Sequence, residues 1–218
     1  MNRINTVIFD MDGTVLDTLE DLADAVNYVL VRFGMPARPT EDYRQFFGSG
    51  IRHALRCAVP PECPEDVIDA MIPVFREYYN QHCYDKTRPY SGIPELMEEL
   101  KRRGYKMAIV SNKIDSAVKE LNSRFFSDYV SAAIGERPGI RRKPAADTVV
   151  ACLAELNAAT EEAVCIGDSE VDLQTAGNAG LPCIAVLWGF RDKAFLAANG
   201  ASLFAETPKE IVSILKTL

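Results

Sequence analysis

A chain of 218 residues with 48% hydrophobic and 25% charged residues has an ordinary globular composition, long enough for one sizeable core or a core plus a small insert. Wholesale disorder is excluded. The 24 basic and 31 acidic residues leave a net charge of -7, which argues against a broad nucleic-acid surface or an anionic-membrane surface and so for no nucleic-acid and no membrane partner.

The first predicted element is a short apolar strand, Thr6 to Phe9, followed at once by Asp10-Met11-Asp12-Gly13-Thr14. In extended chain, residues i and i+2 share a face, so Asp10 and Asp12 can address one small volume while Gly13 lets the chain turn away. Strand ends are where an α/β fold keeps its chemistry. Two neighbouring carboxylates repel unless a cation or a proton lies between them. With only two histidines and no paired-cysteine spacing in the chain, a hard cation such as Mg²⁺, held by oxygens, is the natural guest. The plain alternative is that both aspartates are turn formers.

From Leu19 the apolar period changes. Leu22, Ala23, Val26, Val29, Leu30 and Phe33 recur at helical steps, and Gly34 stands where the helix would stop. Further helical pieces are predicted from Thr40, near Ile51, and from Pro64 to about His82 despite Pro73. Residues 18–86 therefore read as an all-helical insert, with 1–17 and 87–218 forming the core. The crossings near Asp17 and Lys86 are the expected hinges, and the insert is expected to move as a lid over the strand-end carboxylates.

Beyond Pro89 the pattern alternates. It reads as a helix from Pro94 to Arg103, a strand from Lys106 to Val110, a helix after Asp115, a weaker strand from Tyr129 to Ile134, and a helix opened by Pro144 and running to Leu156. A strand from Ala163 to Ile166, a helix to Ala179 and a strand from Cys183 to Leu187 follow. Strands separated by helices imply a doubly wound parallel sheet. The fold class is thus α/β, a Rossmann-like core with a helical cap inserted. Cys57, Cys63, Cys83, Cys152, Cys165 and Cys183 show neither metal-knuckle spacing nor a disulfide framework and read as reduced filler. No window approaches about 18 uninterrupted apolar residues and the first apolar run ends at Asp10, so a cytoplasmic protein is expected.

Three more strand-end features accompany the first. Ser111-Asn112 follows the strand ending at Val110, where a hydroxyl and backbone amides can grip phosphoryl oxygens, or merely cap a helix. Lys143, before Pro144, is a fixed cation at a helix start, or simply solvated surface. Gly167-Asp168-Ser169-Glu170-Val171-Asp172 follows another strand, with Asp172 one helical turn beyond Asp168; a helix cap with first-turn acids would read the same way.

In order and local context these four pieces resemble the haloacid dehalogenase-like hydrolases, and most closely their phosphoglycolate phosphatase branch with a helical cap. The resemblance implies a phosphatase acting on a small phosphorylated metabolite with Mg²⁺. It casts Asp10 as the nucleophile that forms an aspartyl-phosphate, and Asp12 as the acid and base. Asp10, the backbone carbonyl of Asp12, and Asp168 would ligate the metal, with Asp172 behind them. Ser111, Asn112 and Lys143 would meet the phosphoryl oxygens. Asp12 disfavours a dehalogenase, and with Lys86 the first lysine in the chain a Schiff-base lysine in the cap is lacking. A β-phosphoglucomutase-like phosphotransferase would want a hinge histidine where Leu22 stands. A pyrophosphatase or nucleotidase of the same family stays open, and a receiver-type phosphoacceptor module is more remote. For the leaving group, Gly48, Gly50 and Arg52 are the candidates: the glycines admit close backbone approach, and the arginine could meet a carboxylate or second phosphate, or lie in a plain interhelical turn. Trp188 to Arg191 could add a wall, or simply pack. The exact substrate and the oligomeric state are not legible.

Overall fold

A computed structural model describes residues 4–218; residues 1–3, counted above with the first core segment, lie outside the described residues. The elements in chain order are β1 (Thr6–Phe9), β2 (Leu16–Asp17), α1 (Leu19–Arg32), a 3₁₀ turn (Thr40–Gln45), α2 (Ile51–Ala58), α3 (Glu65–His82), β3 (Arg88–Pro89), α4 (Ile93–Arg102) and β4 (Lys106–Ile114). They continue with α5 (Asp115–Phe125), β5 (Ala132–Glu136), α6 (Asp147–Leu156), β6 (Ala163–Gly167), α7 (Glu170–Ala179), β7 (Cys183–Val186), α8 (Lys193–Ala198), β8 (Leu203–Ala205) and α9 (Pro208–Ile214).

Six strands form one sheet in the order β5-β4-β1-β6-β7-β8, every pair parallel. Helices cover both faces, which is why β1 is apolar on successive residues: Val7 and Phe9 join one core layer, while Ile8 joins the other with Ala108, Val110 and Cys165. Phe9 is wholly buried, a contribution of about 1.5–3 kcal/mol from its side chain alone. The chain winds outward from β1 in both directions, so the carboxyl ends of β4, β1 and β6 meet at the topological switch point.

The helical segment leaves the core at β2 and returns at β3, which pair antiparallel, so its two ends lie side by side. Asp21 of α1 fastens the return. Its buried carboxylate accepts from the Lys86 amide (3.0 and 3.1 Å), the Thr87 amide (2.9 Å) and the Thr87 hydroxyl (2.8 Å). Tyr43, Leu55, Ile68 and Phe75 fill the space between these helices. Among the described residues, no helix is long and apolar enough to cross a membrane.

Several boundaries differ from those expected. β4 continues to Ile114 with a register irregularity after Val110, because its far end still packs against α5 and β5. β5 starts at Ala132, and α6 starts at Asp147, leaving Lys143 and Pro144 in the preceding loop. The helical piece expected from Thr40 is a 3₁₀ turn. α8, β8 and α9 were not expected: β8 has only three residues, too few for a period to show.

Candidate active site

Asp10 ends β1, and its amide still donates to the Ile166 carbonyl of β6 at 2.8 Å, holding it on the sheet's axis. Asp168 stands at the end of β6. The turn after β1 brings the two together: Gly13 has φ +80, and a Cβ there would lie 2.3 Å from Asp168 Oδ2. Glycine is required at that position both for the left-handed backbone and for the close approach. Thr14 Oγ1 donates to Asp168 Oδ1 at 3.4 Å, and the Phe190 amide donates to Asp168 Oδ2 at 2.7 Å.

Ligand oxygens of Asp10, Asp168 and Asp172, all buried, lie within 4.8 Å of one another. Lys143 is set into this cluster with its ammonium 2.7 Å from Asp10 Oδ1 and 2.6 Å from Asp172 Oδ1. At 4% exposure it is a buried counter-ion, and the surface-lysine alternative does not hold. Burial disfavours its charge, but Asp10 and Asp172 outweigh that and hold its pKa above the ordinary value. Asp172 also completes a capping box on α7: its Oδ2 accepts from the Ser169 hydroxyl at 2.6 Å and the Ser169 amide at 3.1 Å. Helix cap and site carboxylate are therefore one residue, one oxygen serving each purpose.

The cluster carries more negative charge than the protein neutralises. Asp10, Asp12, Asp168 and Asp172 face Lys143 and Lys113, four carboxylates against two ammonium groups; Arg191 also acts on Asp168, but its charge is paired with Glu170. Burial pushes the Asp10 carboxyl well above the usual range, with Lys143 opposing. Burial, reinforced by Asp172, raises Asp168 to about 7. With both oxygens of Asp172 held at 3.1 Å or less, Asp10 Oδ2 and Asp168 Oδ1, which has only the long 3.4 Å bond from Thr14, are the oxygens best placed for a ligand. An all-oxygen, over-charged, buried donor set fits a hard divalent cation such as Mg²⁺.

Asp12 lies on the cleft side. Its Oδ1 accepts from Thr18 Oγ1 at 2.7 Å and pairs with Lys113 Nζ at 2.9 Å. Lys113 was missed by the sequence reading. It also donates to the hydroxyl of Tyr79 on α3 and lies over that ring at 4.4 Å from its centroid. The signal was present, since Lys113 stands two residues after Ser111 and faces the same cleft once β4 is extended past Val110.

The cleft is lined by Asp10, Asp12, Ser111, Asn112 and Lys113 from the core and by Phe47, Gly48, Gly50, Ile51, Phe75 and Tyr79 from the helical segment, among others. Ser111 Oγ accepts from the Lys113 amide at 3.2 Å. Asn112 bridges the two parts through Nδ2, donating to the carbonyls of Gly48 and Lys143, each at 3.0 Å. Of the leaving-group candidates, Gly48 and Gly50 reach the cleft and Arg52 does not. The guanidinium of Arg52 is turned outward, 2.6 Å from Glu65 and 2.9 Å from Asp69, because those α3 acids offer it a solvated partner. Trp188 and Phe190 pack as the plainer alternative held, yet their polar atoms matter: Trp188 Nε1 donates to the Thr14 carbonyl at 2.9 Å, and the Phe190 amide holds Asp168.

A family model for haloacid dehalogenase-like hydrolase matches residues 7–186. The chain belongs to the haloacid dehalogenase-like hydrolases. This hydrolase is 30% identical over 218 residues to a phosphoglycolate phosphatase of Caulobacter vibrioides, covering 96% of this chain and 92% of the relative. It is 27% identical to the pyrophosphatase PpaX of Bacillus cereus, covering 99% and 98%. A solved structure from Lactobacillus delbrueckii subsp. bulgaricus matches the hydrolase with a TM-score of 0.92 and 36% identity over 98% of each chain.

Proposed function

We propose that this hydrolase cleaves small phosphomonoesters, with 2-phosphoglycolate the first substrate to test, through an aspartyl-phosphate on Asp10. The observation that carries the reading is the shared ammonium: Lys143 binds Asp10 and Asp172 together at a strand end that opens on a cleft containing Ser111 and Asp12. The phosphoglycolate phosphatases among its relatives support it.

In this mechanism Asp10 attacks phosphorus, the bond from phosphorus to the ester oxygen breaks, and Asp12 in its acid form gives that oxygen its proton. A water then loses a proton to Asp12 and attacks the phosphoryl group, releasing phosphate and restoring Asp10. Ser111, the Asn112 amide and Lys143 bind the phosphoryl oxygens, their donors fixed beforehand by burial. Lys143 also opposes the burial that pushes the Asp10 carboxyl up, and so favours the ionised nucleophile. Mg²⁺, when bound, would be held by Asp10, Asp168 and the Asp12 carbonyl, and would neutralise phosphoryl charge; Asp172 steadies Lys143. The helical segment, residues 18–86, acts as the lid that excludes bulk water.

The test is phosphate release from a panel holding 2-phosphoglycolate, pyrophosphate, sugar phosphates and nucleoside monophosphates, with Mg²⁺ or with EDTA. Acid-quenched mass spectrometry would follow Asp10. Steady Mg²⁺-dependent release and a phosphoryl group on Asp10 support the reading. A single stoichiometric phosphorylation without turnover would make it a phosphoacceptor module, and return of the phosphoryl group to a sugar would make it a phosphotransferase.

A further inference from the structure

The mechanism leaves one buried charge without a task. Lys113 is 7% exposed and lines the cleft beside Asp12, whereas Lys143 is taken up by Asp10 and Asp172 and the Arg142 guanidinium stands behind Gly50. An ammonium group has three N–H donors. Two have partners, Asp12 Oδ1 at 2.9 Å and the Tyr79 hydroxyl, and among the described residues no third partner takes the remaining donor. Its surroundings do not call for more charge there: the cleft walls beside it are Phe75, Tyr79 and Ile114. Glu136, the other carboxylate at this end, is drawn toward Arg76 at 3.4 Å.

Position gives the spare donor a use. Ser111 and Lys113 lie next to one another in the cleft, joined by the 3.2 Å bond from the Lys113 amide to Ser111 Oγ. With the phosphoryl group at Ser111 and Asp10, the ester oxygen faces Asp12, and the group beyond that oxygen comes to the Lys113 ammonium that Asp12 already holds. Resting on the phosphatase reading above, we propose that Lys113 determines specificity in this hydrolase by receiving an anionic oxygen on a short leaving group, a carboxylate or a second phosphoryl group. The role expected of Arg52 therefore falls to a core residue instead. A charge-assisted hydrogen bond in a dry cleft discriminates strongly, because a substrate lacking the anion leaves a buried donor unpaired.

The experiment compares kcat/KM for 2-phosphoglycolate with that for 2-hydroxyethyl phosphate, which has the same length and a neutral end, and for phosphoethanolamine, which has a cationic end. Pyrophosphate is the arm with a second phosphoryl group. Wild type should favour 2-phosphoglycolate over 2-hydroxyethyl phosphate by about 100-fold and should turn over phosphoethanolamine most slowly. In Lys113→Met the ratio should collapse to within about threefold, mainly through a rise in KM for the anionic substrate, while Lys113→Arg should retain most of it. A K113M ratio equal to that of wild type overturns the proposal, as does an equal fall in kcat for all substrates, which would mark Lys113 as a support for Asp12 alone. If K113M does not fold, wild type still decides, since indifference to the charge of the leaving group overturns the idea without any variant. Absence of phosphate release from every compound by wild type would instead remove the phosphatase reading itself. Selectivity for pyrophosphate over 2-phosphoglycolate that is lost in K113M would identify the anion as phosphoryl rather than carboxylate.

Discussion

Arg191, in the loop after β7, donates from Nη2 to the carbonyl of Phe47 at 3.0 Å, tying the sheet to the loop that forms one wall of the cleft. Its guanidinium also donates to the Arg44 carbonyl and is held from behind by Glu170 at 3.0 Å. Arg44 answers with a bond from Nη1 to the Gly189 carbonyl at 3.4 Å. Together with the Asn112 bridge to Gly48, these contacts hold the loop against the core at the cleft wall.

Arg191→Ala should therefore free this loop without unfolding the sheet. The lost bonds to charged donors are each worth about 1.5–3 kcal/mol at most, and Glu170 would be left without its partner. Hydrogen exchange in residues 44–50 should rise well above wild type, and kcat/KM should fall on the order of tenfold. Unchanged exchange in that segment would show that the Asn112 bridge alone is sufficient.

Asp10→Asn should abolish turnover, by a factor of at least about 1000, since an amide cannot form the acyl phosphate. It should not cost stability in metal-free protein, because burial and the neighbouring Asp172, Asp168 and Asp12 push the Asp10 carboxyl up against the opposing pull of Lys143, and a neutral isostere relieves the repulsion while Asp172 still pairs Lys143. Thermal melting in EDTA should give a Tm at or above wild type. A marked fall would mean that the bond to Lys143 outweighs the repulsion.

How far the sequence could lead is clear from individual residues. Asp10, Asp168 and the strands beneath them were legible because a buried parallel strand writes an unbroken apolar run and its end is marked by Gly and Asp. Lys143 was located but not its burial, since one sequence cannot say which side of a loop a lysine takes. Arg52 misled because an arginine beside flexible glycines looks like a ligand clamp, and its partners Glu65 and Asp69 lie on another helix. Lys113 was within reach, two residues past Ser111, but only once β4 is carried beyond Val110; the Phe190 amide was invisible, because it acts between segments distant in the chain and a backbone amide has no letter of its own.

Mg²⁺ should stabilise the protein more as pH rises from about 5 to 8. Metal-free Asp168 binds its proton up to about 7, against an ordinary value of 3.8, so between those values the folded state holds more protons than the unfolded state. The slope of unfolding free energy with pH is then negative, and metal-free stability falls across this window. Mg²⁺ displaces the proton and removes the penalty, so its affinity rises with pH. Differential scanning fluorimetry at pH 5.5 and pH 8, with and without Mg²⁺, should show the larger Tm increase at pH 8. Equal increments would place the metal away from Asp168.

Gly189→Ala tests the seating of Asp168 by steric means alone. A Cβ at Gly189 would fall 2.3 Å from Asp168 Cβ, 2.5 Å from Asp168 Oδ2 and 2.5 Å from the Gly13 carbonyl. The obstacle includes backbone, so rotating a side chain cannot relieve it. Either Asp168 or the turn after β1 must shift, and both carry the proposed metal site. The variant should fold, with stability reduced by about 1–3 kcal/mol as for an overpacked core position. The Mg²⁺-induced increase in Tm should be largely lost, together with most of the phosphate release. The comparison that isolates the cause is Gly180→Ala, at the end of α7, where nothing lies within 4 Å of the new Cβ and only the left-handed backbone is strained. That variant should lose stability yet keep its full response to Mg²⁺. If the two variants lose the metal response equally, the close approach at Gly189 is not what seats Asp168.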